Sequence, residues 1–329
     1  MVLFTLLGLG LFLGLGMILI IVLASSLGGG EVAIGEAQVL QRTVRSGASD
    51  QKIAIIPVQG LILDPTEKQF QKALQTARAD SSVKAVVVDI SSPGGTVTDS
   101  NQMYEALLAF KQEKGVPVYV HMDDLAASGG YFLACAADEI FAEDTTITGS
   151  IGVLVQYPQL TEFGEKTGIR LETIVADSSP RKNFLDSFQE PSEESLAIVK
   201  RMLNDQHALF KEVVAAGRQS QIEAAGKTVD EVADGSIYLG PQAMELGLVD
   251  QIGFLDDTVS AVAAKAGLTN PTVVQYTRPA TLAEQLGLAS ATAPNLGAVL
   301  QGDDAKSLAI ELLHEATSPR ALYLYNGAR

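Results

Sequence analysis

Short apolar runs alternate with helical stretches through the middle of this chain, and this alternation constrains the fold more than any other feature. Residues 53–58 and 85–89 are apolar and rich in β-branched side chains, like strands that are buried on both faces of a sheet. A helical stretch at 67–78 separates them, and a helix at 99–114 and a strand at 116–120 follow. This repetition of strand, helix and strand predicts an α/β domain.

An uncharged apolar segment precedes the predicted domain. Residues 2–27 contain no Asp, Glu, Lys or Arg, and about 20 apolar residues suffice to cross the roughly 30 Å hydrocarbon core of a bilayer. A cleaved signal peptide would have a basic region before a shorter apolar region. We therefore interpret residues 1–29 as an uncleaved transmembrane anchor. The first basic residues are Arg42 and Arg45, so the charge pattern leaves the orientation of the anchor open.

The rest of the chain divides into three parts. The polar stretch at 30–51 is interpreted as a linker, residues 52–270 as the folded domain and residues 271–329 as a C-terminal extension. Near the end of the domain, apolar residues after Glu190 recur at helical spacing, which predicts a long helix on the outside of the sheet.

Charge and cysteine content exclude several classes of function. The formal net charge of -16 disfavours binding to a phosphate backbone, so we expect no nucleic-acid partner. The single cysteine, Cys135, cannot form an internal disulfide. With one cysteine and three dispersed histidines the chain has no recognisable set of zinc ligands, so we expect no metal.

A glycine-containing loop follows the second predicted strand. Residues 91–95 read Ser-Ser-Pro-Gly-Gly, and ligands of α/β sheets bind beyond the carboxyl ends of strands. There the amides of Gly94 and Gly95 could contact an oxyanion without interference from a Cβ atom. The alternative interpretation of the same residues is an ordinary tight turn.

A serine flanked by small residues lies at a later strand-to-helix turn. Residues 126–131 read Ala-Ala-Ser-Gly-Gly-Tyr, which exposes the Ser128 hydroxyl as a candidate nucleophile and offers the Gly129 amide to the developing oxyanion. The alternative is that Ser128 only caps the following helix.

A serine nucleophile requires a base, and the sequence offers two kinds. A Ser-His-Asp triad could use His121, His207 or His314, because triads form in space and not in sequence. A lysine base must be neutral, which requires a pKa about three units below the usual 10.4. Such a shift means that the site favours the neutral over the charged lysine by roughly 4 kcal/mol more than water does.

Four motifs in order give the chain a resemblance to the signal peptide peptidase A family of serine proteases, in its short, single-repeat form. They are the two loops above, Thr-Gly-Ser-Ile-Gly-Val at 148–153 and Ala-Met-Glu-Leu-Gly-Leu-Val-Asp at 243–250. The resemblance covers residues 51–266. It implies that Ser128 is the nucleophile, that Ser150 orients the base, and that amides near Gly95 and Gly129 form the oxyanion hole.

The resemblance also implies a lysine as the general base. The matching stretch at 179–184 reads Ser-Pro-Arg-Lys-Asn-Phe, with Ser192 at the family's later Ser or Thr position, so Lys182 is the predicted base. The residues before Lys182 depart from the usual family pattern. Lys166 and Lys200 are alternatives, but both lie in helical patterns in which lysine usually faces solvent.

The family likeness further implies an α/β fold of the crotonase and Clp-protease type, with a repeated ββα core and outer helices after one N-terminal transmembrane helix. It implies a homo-oligomeric ring, for example an octamer, whose dyads combine neighbouring subunits. The implied activity is hydrolysis of remnant signal peptides and other short hydrophobic peptides, without a cofactor. It is expected at the plasma (inner) membrane, with a single pass and an extracytoplasmic catalytic domain.

Two other functions remain open from the sequence. The first is a membrane-anchored, ring-forming scaffold with the same fold and no activity, which would need a broken dyad. The second is a crotonase-type acyl-CoA enzyme, which would need neither the serine turn nor the downstream lysine.

Overall fold

The computed structural model describes residues 39–278 and 322–324. Within these ranges no helix combines the length and apolar character needed to cross a membrane. The predicted anchor at residues 1–29 lies outside them.

The described residues form a mixed α/β fold, as the sequence predicts. The strands are β1 (Leu40–Arg45), β2 (Ala48–Gln59), β3 (Val83–Ser92), β4 (Gly94–Thr96), β5 (Val118–Ala127), β6 (Glu139–Ala142), β7 (Ile147–Gly149), β8 (Ile237–Leu239), β9 (Gln251–Ile252), β10 (Pro271–Thr277) and β11 (Leu322–Leu324). The helices are α1 (Asp64–Ala79), α2 (Val97–Lys114), α3 (Gly129–Ala134), α4 (Thr161–Thr167), α5 (Glu193–Ala224), α6 (Val229–Val232), α7 (Gly240–Glu245) and α8 (Leu255–Lys265), with a 3-10 helix at Pro180–Asn183.

Nine of these strands form one sheet, in the order β1-β10-β2-β3-β5-β6-β9, with β7 paired to β5 and β8. The central strands β10, β2, β3, β5 and β6 are parallel, whereas β1 and β8 pair antiparallel to β10 and β7. Parallel strands place their carboxyl ends at one edge of the sheet, so the loops after β3 and β5 meet there.

Both faces of the central strands are buried, which explains their continuous apolar runs. Val86 and Val88 of β3 lie in the larger core with residues of α1, α2, α3 and α5. Val87, between them, packs in the smaller core with Val259 and Val262 of α8. The predicted outer helix is α5, whose Ser192 N-cap accepts a hydrogen bond from the Ser195 amide at 3.1 Å.

Two segments assigned from sequence to connections belong to the sheet. Residues 40–51, placed in the linker, form β1 and the first part of β2, and residues 271–277, placed in the C-terminal extension, form β10 between these two strands. All of β1 is exposed at the sheet edge, so it lacks the apolar pattern by which a buried strand is recognised.

A buried arginine ties α5 to the loop at 246–250. Arg218 is 2% exposed, and its guanidinium donates to both carboxylate oxygens of Asp250 at 2.7 and 2.9 Å and to the Gly247 carbonyl. Asp250 also accepts the Ile140 amide at 2.7 Å, and the Tyr131 hydroxyl of α3 donates to the Leu248 carbonyl at 3.0 Å. The Gly-Leu-Val-Asp motif therefore supports the helix that follows Ser128.

Replacing Arg218 by methionine is expected to lower the free energy of unfolding by about 3–5 kcal/mol, because the partly buried Asp250 carboxylate would lose its cation. Urea unfolding of the detergent-solubilised protein would measure the loss. As a control, removal of the exposed Lys227, 3.7 Å from Glu231, should cost less than about 1 kcal/mol. Equal effects of the two changes would contradict this account of Arg218.

Candidate active site

The glycine loop after β3 is held against Ile62, in the loop after β2. The Ile62 amide donates to the Gly94 carbonyl at 2.9 Å, and the Thr96 amide donates to the Ile62 carbonyl at 3.0 Å. A Cβ atom on Gly95 would lie 1.8 Å from the Ile62 oxygen, so only glycine fits. Because backbone groups alternate in direction along a strand, the Gly95 amide points away from Ile62.

Ser128 lies at a strained turn between β5 and α3. Its φ of 53° and ψ of -114° are outside the regions that side-chain-bearing residues normally adopt. Its amide donates to the Gly149 carbonyl at 2.8 Å, and its carbonyl accepts the Phe132 amide at 2.8 Å. The side chain makes no capping bond to α3, so the helix-cap interpretation does not explain the hydroxyl. Such strain, about 1–3 kcal/mol, is common at functional sites.

Gly129 brings the two predicted motifs together. A Cβ atom on Gly129 would lie 3.1 Å from the Gly95 nitrogen and 3.2 Å from the Gly94 Cα atom. The backbone of the glycine loop therefore packs directly against the residue after Ser128. The turn that carries the candidate nucleophile and the candidate oxyanion amide are neighbours, although Gly95 and Ser128 are 33 positions apart in the sequence.

No hydrogen bond joins the two members of the candidate dyad, Ser128 and Lys182, within the described residues. Ser128 is fully buried, so the expectation that its turn exposes the hydroxyl is wrong for the single chain, and the hydroxyl has no hydrogen-bond partner among residues 39–278. Lys182 lies on the exposed 3-10 helix, where the neighbouring Arg181 pairs with Glu194 at 2.6 Å. The described part of the chain therefore brings Ser128, Gly129 and Gly95 together, whereas Lys182 lies on the exposed 3-10 helix without a hydrogen bond to Ser128.

Ser150, the predicted orienting residue, directly follows Gly149, whose carbonyl accepts the hydrogen bond from the Ser128 amide. It has a φ of 51°, and its amide donates to the Ser236 carbonyl at 2.7 Å. Ser150 lines a cavity of about 400 Å³ whose other lining residues include Lys200 and His207. Lys200 is exposed on α5, as its helical pattern predicts, and also lines this cavity. Lys166 instead pairs with Glu162 at 3.0 Å on the surface.

The histidines have other surroundings. His121 is buried, its Nδ1 lies 2.7 Å from an Asp89 carboxylate oxygen, and its Nε2 lies 3.8 Å from Glu143. Within residues 39–278 it makes no hydrogen bond to Ser128. His314 lies outside the described residues.

Neither a reactive thiol nor a metal cluster is found at the site. Burial raises the pKa of the Cys135 thiol to about 12, so this side chain is a neutral thiol at neutral pH. Within the described ranges no group of three or more His, Cys, Asp or Glu side chains could hold a metal ion.

Two features of the site are not predicted by the sequence. The buried hydroxyl of Ser100 approaches Gly129, where a Cβ atom would lie 2.4 Å away. In addition, β11 from the C-terminal tail pairs antiparallel with β4, with Tyr323 opposite Gly95. A serine inside a helical pattern gives no sign of its neighbour, and a three-residue strand far along the chain gives none of its partner.

Comparison with known proteins gives a family match over the part of the chain that contains Ser128, Ser150 and Lys182. The profile of peptidase family S49 matches residues 110–269. A candidate signal peptide peptidase SppA of Enterococcus faecium is 32% identical over 313 residues, which cover 90% of this chain and 88% of that protein. Protease 4 of Haemophilus influenzae is 32% identical over 68% of this chain and 36% of its own length.

Solved structures give more distant matches. A point mutant of the membrane-bound stomatin-specific protease 1510-N has 14% identity and a TM-score of 0.43 over 70% of this chain and 99% of that chain. A point mutant of Listeria monocytogenes ClpP1 has 16% identity and a TM-score of 0.41 over 62% of this chain and 94% of that chain. The match to the Enterococcus faecium relative, which covers 90% of this chain, and the family profile at 110–269 show that this protein belongs to peptidase family S49, together with relatives named signal peptide peptidase SppA and Protease 4.

Proposed function

We propose that this protein is a membrane-anchored serine endopeptidase that hydrolyses remnant signal peptides and other short hydrophobic peptides with a Ser128/Lys182 dyad. The strained Ser128 turn packed against the Gly94–Gly95 backbone is the observation that carries the proposal. This turn would provide a nucleophile and adjacent amide donors at the carboxyl ends of the parallel strands.

The proposed reaction has two stages. The Ser128 Oγ attacks the scissile carbonyl carbon while its proton passes to the neutral amine of Lys182, and the amides of Gly95 and Gly129 stabilise the oxyanion. When the C–N bond breaks, Lys182 returns the proton to the leaving amine. Water then attacks the ester, gives one proton to Lys182, and the freed serine oxygen regains it as the acid product leaves.

We further propose that Lys182 serves the Ser128 of a neighbouring subunit in a homo-oligomeric ring of the octameric type. The unpartnered Ser128 hydroxyl and the exposed position of Lys182 support this proposal. The segment before Lys182 exposes large apolar side chains, including Phe163, Leu171 and the 93% exposed Ile174. A subunit interface would cover these side chains and remove the lysine from water, which favours its neutral form.

The proposed substrate is an extended peptide that adds to β4 as an antiparallel strand. Such addition supplies main-chain hydrogen bonds without requiring a fixed sequence. The pairing of Leu322–Leu324 with β4 supports it, because a chain segment already takes this position opposite Gly95.

The uncharged segment at 2–27 supports a single-pass location in the plasma membrane. We propose that the catalytic domain is extracytoplasmic and that it has a crotonase-like fold.

The tail strand is expected to compete with substrate for β4. Replacing Leu322 and Tyr323 together by proline removes two successive amides, one of which faces β4, so the pairing should be lost. KM for short peptides should then fall several-fold with little change in kcat, because the free fraction of the site rises. The same double replacement at Gly327 and Ala328 is the control. An unchanged KM would show that the tail does not occupy the substrate position.

Covalent labelling tests the function. The detergent-solubilised protein is treated with a fluorophosphonate, and the modified peptide is identified by mass spectrometry. The proposal predicts modification at Ser128 together with cleavage of an apolar peptide. Absence of both would favour the inactive ring-forming scaffold, and acyl-CoA turnover without labelling would favour the crotonase-type enzyme.

A further inference from the structure

Ser100 has a buried hydroxyl for which the described residues provide no hydrogen-bond partner. It lies in the first turns of α2 and is fully buried, and its Oγ is unpaired within residues 39–278. A serine inside a helix usually donates to the carbonyl three or four residues earlier. The Ser100 hydroxyl makes no such bond, and burial of an unpaired hydroxyl destabilises a fold. Its presence there calls for a role other than stability.

The position of this hydroxyl indicates that role. A Cβ atom on Gly129 would lie 2.4 Å from the Ser100 Oγ and 3.1 Å from the Gly95 nitrogen. The hydroxyl and the Gly95 amide nitrogen are thus both within 3.1 Å of one point beside Gly129. Ser100 occupies the space that a side chain at position 129 would fill, on the same side of Gly129 as the Gly95 nitrogen.

Through the start of α2, Ser100 is also tied to the strand that carries Gly95. Thr96 is the last residue of β4, and its side-chain hydroxyl accepts a hydrogen bond from the Asp99 amide at 3.0 Å. This bond fixes the first turn of α2 to that strand. A change at Ser100 is therefore transmitted to Gly95 through one helical turn and to Gly129 through direct contact.

We propose that Ser100 is a positioning residue of the oxyanion hole, which sets the separation of the Gly95 and Gly129 amides. This inference rests on the proposed function, because it assigns Ser100 to the same site. Oxyanion donors act only when they are aimed at the position that the charge will occupy, and small displacements greatly reduce the rate. The role explains why a polar group is kept in an environment that offers it no partner.

The test compares Ser100→Ala with Thr98→Ala, an exposed position on the same turn. Ser100→Ala should lower kcat by about 10- to 100-fold with KM changed less than about threefold, because the hole acts mainly in the transition state. The rate of fluorophosphonate labelling at Ser128 should fall in parallel. The melting temperature should stay the same or rise, since the lost hydroxyl had no partner. Thr98→Ala should behave as the unsubstituted protein does.

The outcomes separate this inference from the proposed function. If the unsubstituted protein neither cleaves peptides nor reacts at Ser128, the proposed function fails and the role of Ser100 fails with it. If it does both and Ser100→Ala has an unchanged kcat, only the role of Ser100 is wrong. A fall in kcat that accompanies a lower melting temperature would also overturn it, by showing that Ser100 supports the fold instead.

Discussion

Replacing Ser128 by alanine should abolish peptide cleavage and fluorophosphonate labelling while leaving the protein folded. Removal of a nucleophile leaves only the catalysis that comes from binding and the oxyanion hole, so we expect a loss of kcat of at least about 10⁴-fold. The melting temperature should not fall, because the Ser128 hydroxyl has no partner within residues 39–278. Steady-state cleavage of an apolar peptide and thermal unfolding would measure the two effects.

The matched control is Ser91→Ala at the end of β3. The Ser91 hydroxyl bonds to Asp124 at 2.6 Å, and its removal should leave cleavage within a few-fold of normal. Ser128→Gly offers a second comparison, because glycine adopts positive φ freely and should raise the melting temperature while abolishing activity. A Ser128→Ala variant that retains more than about one per cent of kcat would reject the nucleophile assignment.

The central sheet could be predicted because its residues carry the signal themselves. Residues 53–58 and 85–89 lie within β2 and β3, and their continuous apolar character reflects burial on both faces. The strand predicted at 116–120 in fact extends to Ala127. The Asp123–Asp124 pair interrupts its apolar run, and partly exposed strand ends do not need apolar residues. All six residues of β1 are exposed, so this strand likewise needs no apolar run and is not recognisable from one.

The meeting of Gly95 with Gly129 could also be predicted, because both follow parallel strands of one sheet and such ends share an edge. Three other features could not. The position of Ser100 depends on how α2 packs on the turn after β5, and the pairing of β11 depends on a contact between residues more than 200 positions apart. The proposed pairing of Lys182 with Ser128 of a second subunit depends on assembly, which no local pattern of one chain indicates.

Replacing Lys182 is expected to have an effect as large as replacing Ser128. Lys182→Ala removes the proposed proton acceptor, and Lys182→Arg should be nearly as inactive because arginine cannot lose its proton in a protein. Lys200→Ala, Lys166→Ala and His121→Ala are the controls and should retain cleavage. If Lys200→Ala or His121→Ala abolishes activity and Lys182→Ala does not, the assigned base is wrong.

A mixing experiment distinguishes a dyad within one chain from a dyad between chains. Ser128→Ala and Lys182→Ala protomers, each inactive alone, are mixed in equal amounts under conditions that allow subunits to exchange. In a ring whose sites take serine from one subunit and lysine from the next, about one site in four pairs an intact serine with an intact lysine. Cleavage should therefore recover to about a quarter of the normal rate. If each dyad lies within one chain, no mixed ring contains an intact site and activity stays at zero. Recovery requires contact between subunits, for which the exposed segment with Phe163 and Ile174 is the proposed surface, so light scattering should detect an oligomer under the same conditions.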